Sequence, residues 1–139
     1  LTKYGDYLKD KYRNYNIIFL GGIYKKDVLD NMRFYCKYYL HGHSVGGTNP
    51  ALLEAMTAKT LILTHENKFN RSVVENNAFY FSNSLDLSNL LKKNNLLQSK
   101  PVYVKNNMKK INQKYRWSVV VDEYEKYLSN ILQKSTVKR

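Results

Sequence analysis

The chain is short of several things that would narrow its chemistry. Only one of its 139 residues is a cysteine, Cys36, so no internal disulfide forms and a reducing compartment fits. With two prolines and six glycines it has no Pro-rich or Ser-rich linker, and no internal repeat is found. No apolar run approaches the roughly 20 residues of a membrane-spanning helix, and no secretory signal pattern is visible. Acid is scarce: 11 Asp plus Glu stand against 23 Lys plus Arg, for a net charge of +12. From Leu87 to Val121 there is no acid at all, while seven lysines and Arg116 fall in that window. This balance favours anionic partners: phosphorylated ligands, an anionic membrane surface or nucleic acid. The bland alternative is a solvated face on a Lys/Asn-biased background. No aromatic–basic RNA motif accompanies the charge.

The chain does have enough residues for one domain with a real core, an ordinary 43% hydrophobic content, and 13 tyrosines. It opens on Leu1 rather than Met, which points to a piece of something longer. Residues 6–14 read as the tail of a polar helix. The apolar run "NIIFL" (Asn16–Leu20) before Gly21-Gly22 reads as a buried strand. "KDVLDNMRFYCKY" places Val28, Leu29, Met32 and Tyr35 or Cys36 on one helical stripe, with an inert, buried thiol. Strands follow at Tyr38–His41, Thr60–Thr64 and Ala78–Ser82, alternating with helices at Asn49–Ala58, over "NRSVVENN", and after Ser84 as N-cap. Beyond Pro101 the strand signals stop. A basic helix spans 102–115, and a last one starts near Ser118, with Val120, Tyr124, Tyr127, Leu128 and Ile131 as its stripe and a frayed "KSTVKR" end. The expected fold class is α/β: one domain over residues 1–139, a Rossmann-like parallel sheet of four short strands with helices on both faces, and C-terminal helices from about 102.

The unusual chemistry sits at one strand-to-helix turn, "YYLHGHSVGGTNPALLEAM". In open parallel sheets, ligands bind beyond the carboxyl ends of the strands. Gly46 and Gly47 allow close backbone approach, Thr48 or Asn49 can cap the helix, and Pro50 suits its first position. The uncharged first turn, Ala51–Leu53, leaves its free N–H groups and the helix dipole facing the loop. Such a start attracts an anion by roughly 0.3–1 kcal/mol per charge, up to ~2 kcal/mol when partly buried. The same features also fit a tight turn that uses glycine for geometry alone. It is neither a Walker A loop nor a dinucleotide G-x-G-x-x-G. Glu54, about one turn into the helix, favours the anion reading, because a carboxylate there can accept from vicinal ribose hydroxyls. His41 and His43 alternate on a strand end and face one way. Zinc needs three or four ligands, and only Cys36 and His65 are left to supply them, so no metal site is assigned.

"IIFLGGIY", "YYLHGHSVGGTNPALLEAM", "FNRSVVENNAFYF" and "WSVVVDEYEKYL" resemble the C-terminal, donor-binding half of family 4 glycosyltransferases, most of all the bacterial rhamnosyltransferase-like group that builds surface polysaccharides. The resemblance runs from about Asn16 to Leu128. It implies one half of a two-domain GT-B architecture and retaining, metal-independent transfer from a nucleotide-diphosphate sugar, with no cofactor. The acceptor would be lipid-linked or a growing glycan, bound through a missing N-terminal domain. Cytoplasmic localisation is expected, with peripheral contact at the inner membrane face, and nucleic acid is not an expected partner. By this likeness Gly46, Gly47, Thr48 and Asn49 meet the donor diphosphate and Glu54 holds the nucleotide ribose. The general pattern's earlier acid is replaced by Gly46, a gap the rhamnosyltransferase-like group shares, and His43 or Ser44 covers part of that role; His43 is the catalytic candidate. Lys59 stands where glycine commonly ends the helix, so a looser C-cap is expected. The basic pair that clamps the diphosphate has no match in the chain, so the chain alone is expected to be catalytically silent. A basic, non-enzymatic module that binds nucleic acid or anionic membrane is the competing reading, and a nucleotide-sugar epimerase keeps the fold but changes the reaction.

Overall fold

The computed structural model describes residues 2–136. The chain is a mixed α/β protein built on a small, fully parallel sheet. Two helices come first, α1 (Lys3–Lys11) and α2 (Lys26–Tyr35), and then the alternating region: β1 (Tyr39–His41), α3 (Pro50–Thr57), β2 (Ile62–His65), α4 (Lys68–Val74), β3 (Phe79–Phe81) and α5 (Ser84–Leu91). A 3₁₀ turn (Leu96–Ser99) leads into α6 (Lys100–Lys110), which passes through a π-helical turn (Ile111–Tyr115) to α7 (Trp117–Thr136). The strands lie in the order β1-β2-β3, with Leu40 opposite Leu63 and Thr64 opposite Tyr80.

The alternation of side chains along β2 divides the core in two. Ile62 joins Leu52, Ala55 and Met56 of α3 and Val73 and Val74 of α4 on one face. Leu61 and Leu63 point to the other face, where Leu96, Phe79, Phe81, Leu87 and Tyr103 cover them. Both faces of β2 are dry, which is why its sequence reads as a continuous apolar run. Burial of each such aliphatic side chain contributes roughly 1.5–3 kcal/mol.

The helix ends follow from a few polar residues. Asn49 caps α3, its Oδ1 accepting from Ala51 N at 2.9 Å with Pro50 in the first turn. Asn67 caps α4 through Phe69 N and Asn70 N. Asn83, not Ser84, caps α5: its Oδ1 accepts from Asp86 N at 2.9 Å, and the Asp86 carboxylate accepts in return from Ser82 N at 3.1 Å. That reciprocal pairing needs the acid three residues after the cap, a spacing that Asn83 satisfies. Lys59 closes α3 in the left-handed region, at φ 58°. The Schellman-type bond from Thr60 N to Ala55 O is long at 3.5 Å, as a cap without glycine implies.

Several expectations are corrected. Asn16–Leu20 is not a strand: Ile17, Ile18, Phe19 and Leu20 are 49, 79, 42 and 55% exposed. Among the described residues the sheet ends at β1, and an apolar run becomes a strand only where a neighbour pairs its backbone, so the sheet has three strands there rather than four. The apolar stripe of α2 is also outward, with Val28, Met32 and Tyr35 exposed and Arg33 buried instead. Cys36 follows α2 as its C-cap rather than lying within it; its thiol donates to Arg33 O and sits 3.2 Å from Thr60 Oγ1. The basic helix is two elements, α6 and the π turn. The stripe of α7 faces solvent at Tyr124, Tyr127, Leu128 and Ile131. The helix runs on through Thr136 into the segment read as frayed, of which Val137–Arg139 lie outside the described residues. Among the described residues no helix is long and apolar enough to cross a membrane.

Candidate functional site

The turn between β1 and α3 is anchored at its root and open at its tip. The Nδ2 groups of Asn67 and Asn70 both donate to His43 O, at 3.0 and 2.9 Å, and Asn70 also donates to His65 O at 3.0 Å. Thus the start of α4 fixes where the loop leaves the sheet. Around and past that anchor, Gly42 to Thr48 is exposed, and a Cβ built on Gly42, Gly46 or Gly47 would meet nothing within 4 Å. Gly46 adopts φ +114°, a conformation that side chains rarely permit.

The donors are not where the helix start alone would place them. Ala51 N–H is taken by the Asn49 side chain, and Leu52 N–H and Leu53 N–H both bond Asn49 O, at 3.0 and 3.3 Å. The first turn of α3 is therefore satisfied. The backbone amides of Gly46, Gly47, Thr48 and Asn49 donate to no acceptor among the described residues. The unused N–H groups lie one step earlier, in the loop, with the α3 dipole behind them.

The two histidines are stacked, with ring centroids 4.7 Å apart and planes at 23°. His41 is 1% exposed, and its Nε2 is buried without a partner. Burial, and secondarily the neighbouring His43, push its pKa below the ordinary value, so the ring is neutral near pH 7. His43 itself is exposed at the loop. A second buried nitrogen, His65 Nδ1, also lacks a partner, and His65 packs edge-on against Phe81. No group of three or more metal-ligating side chains is assembled among the described residues.

Glu54 lies one turn after Pro50, on the same side of α3. Its Oε2 accepts from Arg33 Nη2 at 2.7 Å. The Arg33 side chain is only 9% exposed and also reaches Asp30 at 3.4 Å, while its Nε is unpartnered. Burial raises the pKa of Tyr39, against the opposing pull of the Arg33 guanidinium. Glu54 borders a cavity of about 470 Å³ with Lys26, Asp30, Tyr115 and Trp117, which places it between α2, α3 and the start of α7. The Gly46–Asn49 loop does not line that cavity, so Glu54 and the open amides occupy adjoining places rather than a single pocket. Arg33 escaped the sequence reading. The signal that could have found it is an arginine three residues after Asp30, beside rather than within the stripe of Val28, Met32 and Tyr35.

No protein-family model matches the chain, and no curated protein matches it.

Proposed function

We propose that this chain is the donor-binding part of a retaining, nucleotide-sugar-dependent glycosyltransferase of GT-B architecture, of the kind that builds bacterial surface polysaccharide. The observation that carries the reading is the run of four unused backbone amides, Gly46 to Asn49, in an open loop beyond the carboxyl end of a parallel strand. Cleavage of the bond between the anomeric carbon and the diphosphate places negative charge on the leaving group. Fixed N–H donors with a helix dipole behind them stabilise that charge without reorganising. His43, exposed beside them, is within the same loop and donates from its imidazole to the departing phosphate or to the sugar. Arg33 holds Glu54 by Oε2, which leaves Oε1 to accept from the ribose.

Turnover also needs an acceptor-binding part and a basic clamp on the diphosphate, and the resemblance assigns neither role to a residue of this chain. Calorimetry with UDP, dTDP and GDP, free and as sugar nucleotides, tests the binding. At least one diphosphate binds, and Gly47→Ala and Glu54→Gln each weaken it by about threefold to tenfold, the worth of one lost approach or hydrogen bond. No binding of any of them, or binding indifferent to both substitutions, contradicts the reading. Sugar transfer by the isolated chain contradicts the incompleteness of the site.

A further inference from the structure

A second polar cavity, of about 410 Å³, lies between the turn joining α4 to β3 and the end of α6. Asn77 enters β3 from this side, whereas the Gly46–Asn49 loop leaves β1, so the two places are at opposite ends of the parallel sheet. The turn is held tightly. Lys110, 9% exposed, donates from Nζ to Ser72 O at 2.7 Å and pairs with the Glu75 carboxylate. Glu75 sits at φ 49°, ψ −125°, a strained backbone for a residue with a side chain, and its carbonyl accepts from the Tyr80 hydroxyl. Asn106 and Asn107 both donate to Asn77, at 2.8 and 3.0 Å.

That clamp uses Lys110, Asn106 and Asn107, and it uses up the charge of Glu75. It does not use Lys109, Gln113 or Lys114, which border the same cavity. Neither Lys109 nor Lys114 has a carboxylate within ion-pair distance among the described residues. The π-helical turn begins directly after Lys110 and carries Gln113 and Lys114, a local rewinding of the kind found at functional positions. Two ammonium groups without an ion pair of their own and a side-chain amide therefore border one recess; Glu75 there is paired with Lys110, and Lys114 adds a weaker, longer-range pull on the same carboxylate. A compact phosphate group with several acceptor oxygens matches that set in sign of charge and in hydrogen bonding.

We infer that the cavity between the α4–β3 turn and the end of α6 binds a phosphate-class anion through Lys109, Lys114 and Gln113, independently of the loop after β1. The phosphate is either free or the headgroup of an anionic lipid.

The test is an amide-resolved NMR titration of the full chain at constant ionic strength. One arm uses inorganic phosphate and pyrophosphate against matched chloride; the other uses vesicles of phosphatidylglycerol against phosphatidylcholine, read by co-sedimentation. A free phosphate source gives saturable shifts at Glu75, Asn77 and Gln113 with pyrophosphate. A lipid source gives sedimentation with phosphatidylglycerol alone. In either arm Lys109→Gln with Lys114→Gln weakens binding by about tenfold or more. Both lysines are exposed, so the doubly substituted chain keeps its spectrum away from the cavity. Absence of both responses, or affinity unchanged by the double substitution, overturns the inference. Shifts confined to Gly46–Asn49 overturn it too, while leaving the proposal for that loop standing.

Discussion

The pair Arg33–Glu54 predicts an asymmetry that a symmetric view of ion pairs would miss. Arg33 is 9% exposed at its side chain and Glu54 46%. Removing the carboxylate by Glu54→Ala leaves a buried guanidinium with the Asp30 contact at 3.4 Å and an Nε already unpartnered. A buried charge stripped of its partner costs about 3–5 kcal/mol, and the remaining contact to Asp30 brings the expectation to about 2–4 kcal/mol. Arg33→Met has the opposite consequence. It removes the buried charge and the orphaned Nε together, fills much of the same volume, and leaves Glu54 and Asp30 to water. The lost pair with a half-exposed carboxylate is worth roughly 1 kcal/mol or less. The difference, about 2 kcal/mol, corresponds to roughly 6–8 °C in Tm for a chain of this length. Circular dichroism melts and urea unfolding of the two variants measure it. If Arg33→Met is the more destabilised of the two, the burial asymmetry does not govern this pair and the reasoning fails.

Three further outcomes follow from the local geometry. Lys59→Gly stabilises the chain by about 0.5–1 kcal/mol in urea unfolding, because relief of a left-handed residue, ~1–2 kcal/mol, exceeds glycine's extra unfolded-state entropy. Asn49→Ala costs about 1 kcal/mol by the same measurement, since Ala51 N–H loses its cap. For pH, the His41 ring has a folded pKa below its ordinary value of 6.5. The unfolded chain therefore takes up a proton that the folded chain refuses. Stability from this ring is constant above pH 6.5 and falls as pH drops below it; His41→Gln flattens that part of the profile. A profile that rises as pH falls through this window contradicts the buried neutral ring.

The alternating centre of the fold was readable because its residues obey local rules. Ile62 and its neighbours form an apolar run buried on both faces, and Asn49-Pro50 is a helix start written in two residues. The failures come from partners that no local pattern reveals. Ile17–Leu20 has the composition of a strand, but pairing belongs to the sheet edge, and that edge is β1. Val28 and Met32 repeat at helical spacing, yet the side of α2 that packs is the one bearing Arg33, whose partner Glu54 is 21 residues away. At the candidate site, the glycines, the cap and Glu54 were legible as residue types. Which amides stay unused was not, because that depends on Asn49 satisfying Ala51, Leu52 and Leu53 at once. The anchoring of His43 by Asn67 and Asn70 is likewise a long-range contact without a spacing signature.

The amide spectrum of the full chain titrated with UDP, dTDP and GDP tests the central claim most directly. The account predicts saturable shifts concentrated at Gly46, Gly47, Thr48 and Asn49 with at least one nucleotide, and smaller shifts around Glu54. Spectra in which Gly46–Asn49 stay fixed at saturating concentrations of all three contradict it.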